Sequence, residues 1–76
     1  MIPGLSALIA EVVQIDADTI HPASRIKDDL KADSLDCVEL LMEVEDRYNV
    51  CIPDEEAEQL HTVAELDAYI EGKWHA

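Results

Sequence analysis

The sequence has no phenylalanine and only three aromatic residues, Tyr48, Tyr69 and Trp74, so its core must be aliphatic. Glycine occurs only at 4 and 72 and proline only at 3, 22 and 53, which excludes collagen-like repeats and low-complexity disorder. Two cysteines, Cys37 and Cys51, cannot supply the disulfide framework of a secreted mini-protein, and there is no C-x-x-C pair for zinc or redox chemistry. No run approaches the ~20 apolar residues of a membrane span. The apolar N-terminal stretch lacks the basic leader of a signal peptide and is broken by Glu11. Basic residues are scarce too: five Lys and Arg face 18 Asp and Glu, for a net charge of −13. Phosphate repels such a surface, which excludes nucleic acid as a direct partner and disfavours anionic membranes. The expectation is a soluble, cytoplasmic chain in a reducing compartment, with no membrane insertion.

What remains is 76 residues, 49% of them hydrophobic, enough for one small domain over 1–76. Leu5, Leu8, Ile9, Val12 and Val13 keep a helical rhythm and predict helix I over 3–14, with Pro3 in its first turn. From Asp16 to Asp33 no period holds. Ile20, Ile26 and Leu30 argue for an ordered loop pinned to the core, with room for a single helical turn. Helix II is expected over 34–49, capped by Asp33 and stopped by Asn49. Pro53 and Asp54 open a short acidic helix III over 54–60. Thr62 and Glu65 form a capping-box pattern for helix IV, whose Val63, Leu66, Tyr69 and Ile70 face inward and which Gly72 ends. Trp74 is expected to pack as a cap or to fray. The fold class is all-α: a four-helix bundle with a short third helix and a long ordered loop between helices I and II.

Helix II carries more apolar surface than folding requires. With Ser34 at zero on a wheel turning about 100° per residue, Cys37, Leu40, Leu41, Val44 and Tyr48 fall between about 240° and 340°, one core-facing stripe. Leu35, Val38 and Met42 form a second stripe between about 40° and 100°. Asp36, Glu39, Glu43, Glu45 and Asp46 surround it. Another helix could cover this stripe, but an apolar patch rimmed by charge marks an interaction site. Residues 33–58 hold ten acids and one base, Arg47, so the partner-binding face expected here suits a basic protein. At the helix start, unpaired N–H groups and the helix dipole favour a phosphate near Ser34.

Asp33-Ser34-Leu35-Asp36 after a long loop, then Val38-Glu39-Leu40 and Ile52-Pro53-Asp54-Glu55-Glu56-Ala57-Glu58, closely resembles the acyl carrier protein family. The resemblance is dense from Asp28 to Glu58 and looser outside. It implies that Ser34, with Asp33 beside it, carries 4′-phosphopantetheine. By that likeness its hydroxyl attacks the β-phosphate of coenzyme A on a magnesium-dependent phosphopantetheinyl transferase. The arm's thiol then holds acyl groups as thioesters for acyltransferases, ketosynthases and other enzymes of fatty-acid or polyketide biosynthesis, and the chain itself catalyses nothing. An acyl-chain pocket lined by Leu40, Val44, Ile52, Leu60, Val63 and Leu66 is expected, in a free-standing monomer. One departure is Lys31, where the family often has glycine. Glycine there would permit a positive φ, whereas lysine need not adopt one, and with Arg25 and Lys27 it makes a local basic cluster.

Other chemistries fit less well. Asp16-Ala17-Asp18 could open a calcium loop, but His21 and Lys27 stand where glycine and glutamate are required, and no metal site is expected. Ser34 lacks the G-x-S-x-G elbow and an evident histidine base of a hydrolase. His21, His61 and His75 have no ligand spacing. The alternative to a carrier is an acidic helical adaptor that binds a basic partner through Leu35, Val38 and Met42 without any prosthetic group.

Overall fold

The computed structural model describes residues 2–73, and Trp74 and His75 lie outside them. Four α-helices follow in order: α1 (Leu5–Val13), α2 (Ser34–Tyr48), α3 (Asp54–Ala57) and α4 (Val63–Lys73), with a 3₁₀ turn at Ala17–Thr19. Among the described residues there is no strand, only an isolated antiparallel bridge between Arg25 and Thr62. The all-α bundle with a short third helix is therefore the observed architecture.

Local chemistry sets most of the boundaries. Helix α1 starts after Pro3 rather than at it. Gly4 takes φ 86° and ψ −10°, the third position of a type II turn that Pro3 precedes. The Leu5 N–H closes that turn on the Ile2 carbonyl at 3.2 Å. The turn is anchored by the Tyr48 hydroxyl, which donates to the Pro3 carbonyl at 3.0 Å, and by the Ile2 N–H, which donates to Asp67 Oδ1 at 2.6 Å. Helix α2 begins with a capping box. The Asp36 N–H donates to Asp33 Oδ1 at 2.8 Å, and the Asp33 N–H donates to Asp36 Oδ2 at 3.3 Å. It ends at Asn49 in the left-handed region (φ 54°), and the Val50 N–H returns to the Glu45 carbonyl at 3.2 Å.

Two further helix ends and one loop conformation differ from the sequence expectation. Helix α3 is one turn long rather than running to 60. Beyond Glu58 the bonds tighten to i→i−3 spacing, Gln59 N–H to the Glu56 carbonyl and Leu60 N–H to the Ala57 carbonyl. Gly72 does not end α4, which runs on to Lys73; a glycine within a helix costs only about 1 kcal/mol relative to alanine. Lys31 does adopt a positive φ, 61°. Its neighbours Leu30 and Ala32 are both buried, and the Ala32 N–H donates to the Ile26 carbonyl at 3.2 Å, so the chain must reverse at Lys31. The left-handed conformation costs a lysine roughly 1–2 kcal/mol.

Among the described residues the core is aliphatic apart from Tyr48. Leu5, Leu8 and Ile9 of α1 meet Leu40 and Val44 of α2 and Val63, Leu66 and Ile70 of α4, all essentially inaccessible. The loop between α1 and α2 is ordered through Ile20, Ile26 and Leu30, each buried. Backbone bonds tie it to the start of α4: Ile26 N–H to the His61 carbonyl at 2.9 Å, Val63 N–H to the Ser24 carbonyl at 3.0 Å, and Ala64 N–H to the Pro22 carbonyl at 2.8 Å. Helix α4 opens with its own box, in which the Glu65 N–H donates to Thr62 Oγ1 and the Thr62 N–H donates to Glu65 Oε1.

Candidate functional site

Ser34 is the first residue of α2 and is exposed, and no described residue hydrogen-bonds its hydroxyl. The aspartates on either side behave differently. Asp33 and Asp36 spend their carboxylates on each other's backbone N–H groups, which fixes the start of the helix and leaves the serine oxygen projecting from a rigid end. Among the described residues no histidine or carboxylate pairs with Ser34 as a base would, so the site offers a modifiable hydroxyl and no hydrolytic constellation.

Beside it lies a cavity of about 480 Å³ between the N-terminal half of α2, the 25–28 stretch of the loop, α3 and the start of α4. Ser34, Cys37, Val38, Leu40 and Leu41 line it from α2, and Ile26, Ala57, Leu60 and Leu66 from the other elements. Its polar lining is Arg25, Lys27, Asp28, Asp54, Glu58 and His61. Of the six residues expected to form an acyl pocket, Leu40, Leu60 and Leu66 border it. Val44, Ile52 and Val63 do not: Val44 and Val63 are wholly enclosed by other side chains, and Ile52 is buried. Cys37, Leu41, Ile26 and Ala57 line the cavity as well, outside the six residues that the sequence suggests. On the helical wheel Cys37 and Leu41 belong to the core stripe, yet both are only half-buried, because the stripe's edge nearest Ser34 faces the void. Burial pushes the Cys37 thiol up, opposed by the Lys27 charge and assisted by Asp36 and Asp33.

The second stripe of α2 is open. Leu35, Val38 and Met42 are 65%, 53% and 62% exposed. Glu39, Glu43 and Asp46 are exposed around it. Glu45 differs from its acidic neighbours: it is half-buried, and its Oε2 accepts the Ile52 N–H at 2.8 Å, holding the link between α2 and α3. Helix α3 is joined to α4 by the Tyr69 hydroxyl, which donates to Glu56 Oε2 at 2.8 Å. No group of metal-ligating side chains is found among the described residues. Asp16 instead caps the 3₁₀ turn, its side chain accepting the Asp18 N–H at 3.1 Å.

Residues 3–70 match the family described as "Phosphopantetheine attachment site", and the chain belongs to that family, in which 4′-phosphopantetheine is carried covalently. Its relatives are more particular. The chain is 48% identical over 68 residues to an acyl carrier protein of Helicobacter hepaticus, covering 90% of each chain. It is 45% identical over 67 residues to an acyl carrier protein of Helicobacter pylori, covering 88% of this chain and 86% of that one. It is 42% identical over 74 residues to an acyl carrier protein of Bdellovibrio bacteriovorus, covering 97% and 95%. Acyl carrier proteins are non-catalytic carriers, and an adaptor without a prosthetic group has no counterpart in these matches. The residues present fit the prosthetic group: an uncommitted hydroxyl on a rigid, exposed helix start, next to a void with an apolar floor. No helix among the described residues is long and apolar enough to cross a membrane.

Proposed function

We propose that this chain is a single-domain, monomeric cytoplasmic acyl carrier, modified at Ser34, that serves fatty-acid or polyketide biosynthesis. The prosthetic group supplies a thiol that holds acyl groups as thioesters. The observation that carries this reading is the placement of Ser34: first in α2, exposed, its hydroxyl bonded by no described residue, and on the border of the 480 Å³ cavity. Ser34 Oγ is the nucleophile toward coenzyme A on the transferase: it bonds to the pantetheine-bearing phosphorus, the pyrophosphate P–O bond breaks, adenosine 3′,5′-bisphosphate leaves, and the hydroxyl proton passes to a base of the transferase. The mutual cap of Asp33 and Asp36 keeps that oxygen in one place. Leu35, Val38 and Met42 offer the apolar contact area for the transferase, acyltransferases and ketosynthases, and Glu39, Glu43 and Asp46 offer the charge that meets their basic patches. Leu40, Leu41, Leu60 and Leu66 give an acyl chain an apolar surface away from water.

Intact mass spectrometry after incubation with a transferase and coenzyme A tests the assignment. Wild type gains the phosphopantetheinyl mass, and Ser34→Ala does not while keeping its helical circular dichroism. Two other serines are poor acceptors. Ser24 is buried, and its Oγ accepts the His21 N–H at 3.0 Å; Ser6 is half-buried within α1. Label mapped to either of them would refute the reading.

A further inference from the structure

Three of the five basic residues lie within the short stretch 25–31 of a chain that is otherwise strongly acidic. They are not equivalent. Arg25 borders the cavity, but its Nε is paired with Asp28 Oδ2 at 3.3 Å and its backbone N–H donates to Asp29 Oδ2 at 2.8 Å. Lys31 is exposed and does not line the cavity. Lys27 is exposed, borders the same cavity as Ser34, and has no ion-pair partner among the described residues. Its charge is felt at Cys37, one helical turn along α2 from Ser34.

A phosphodiester on Ser34 places a negative charge between the carboxylates of Asp33 and Asp36. The helix dipole offsets only part of that repulsion. A single unpaired ammonium on a flexible four-carbon stem, on the rim of the adjoining cavity, is the chain's own means of offsetting the rest. We propose that Lys27 is a positioning residue for the prosthetic arm: its ammonium pairs with the phosphodiester on Ser34 and holds the arm across the cavity mouth rather than free in solvent. The proposal rests on the Ser34 reading. Exposed ion pairs are weak, so Lys27 changes the ratio of held to free arm by about 1.4- to 5-fold.

The test uses protein loaded with coenzyme A carrying ¹⁵N in its pantetheine amides. Intact mass first establishes loading at Ser34, so failure of that reading shows itself separately as an unmodified mass. Loaded wild type, Lys27→Gln, Lys27→Arg and Lys31→Gln are then compared by the ³¹P shift of the phosphodiester and the steady-state ¹H–¹⁵N NOE of the arm amides. Lys27→Gln is expected to move the ³¹P signal and lower the NOE, Lys27→Arg to restore both, and Lys31→Gln to leave both at wild-type values. In 0.5 M salt the wild-type ³¹P signal is expected to approach that of Lys27→Gln, because the pair is screened. If Lys27→Gln matches wild type in both signals, the proposal is overturned, including where loading slows, since Lys27 then acts on the transferase instead. Equal changes in Lys27→Gln and Lys31→Gln also overturn it, because net charge rather than position would be responsible.

Discussion

Alanine substitutions at Leu40 and Met42, two residues apart on α2, should separate folding from docking. Leu40 is 2% exposed and sits among α1 and α4, whereas Met42 is 62% exposed. Truncating a buried leucine costs about 2–5 kcal/mol. A 76-residue domain has a total stability of only about 4–11 kcal/mol, so Leu40→Ala should lower Tm by about 10 °C or more. Met42→Ala removes little that is buried, and its expected effect on stability is within about 0.5 kcal/mol. Its effect should appear on binding instead. Full burial of a methionine is worth about 1.5–3 kcal/mol, and the exposed share of Met42 leaves about 1–2 kcal/mol for a partner to gain, or about 5- to 30-fold in loading efficiency. Thermal melts monitored by circular dichroism and transferase loading followed by mass spectrometry read the two effects on the same samples. Leu41, half-buried beside the cavity, should fall between them in stability rather than behave as a full core residue. If Met42→Ala lowers Tm as much as Leu40→Ala, the second stripe is packed in the folded protein and the docking argument fails.

Charge reversal at Glu39 or Glu43 should slow association with the transferase, and the deficit should shrink at high salt; a deficit that is the same at every ionic strength means steering is not its cause. Thr62→Ala should cost about 0.5–2 kcal/mol through loss of the α4 cap, measured by urea unfolding. The Glu65 carboxyl is held below its usual range by the backbone N–H groups of His61 and Thr62. Its contribution is therefore complete above the unfolded value of ~4.3 and is lost as pH falls through the lower folded value. The Tm gap between wild type and Glu65→Gln should accordingly be constant near neutrality and close under acid conditions. In the unloaded protein iodoacetamide should alkylate exposed Cys51 before half-buried Cys37, whose thiol burial keeps protonated. Faster reaction at Cys37 would contradict its place in the cavity wall.

Much of the fold is legible in the sequence because its signals are local. The limits of α2, the Asp33 cap, the Thr62–Glu65 capping box and the stop at Asn49 depend on residues within about four positions of one another, and each appears where the spacing puts it, whereas the return bond from Asp36 to the Asp33 N–H is visible only in the structure. The two apolar stripes of α2 are likewise readable from periodicity, and among the described residues Leu35, Val38 and Met42 are the large apolar side chains left in solvent. The N-terminal turn is not legible in the sequence because Pro3 suits either a helix start or a type II turn, and Gly4 with the distant Tyr48 hydroxyl selects the turn.

The sequence alone thus determined the helix order, the acidic apolar face of α2 and the position of Ser34 at a helix start, since all three follow from helical period and side-chain capping. The tertiary structure decided what lies beside Ser34. The cavity exists because the 25–28 loop, α3 and α4 stop short of the N-terminal half of α2, so half-buried Cys37 and Leu41 line it while Val44 and Val63 are sealed in the core. Tertiary packing also turned Glu45 inward to the Ile52 N–H, left Lys31 in a left-handed backbone and set Lys27 on the rim. Contacts between residues far apart in the chain have no period, and only the folded chain brings them together.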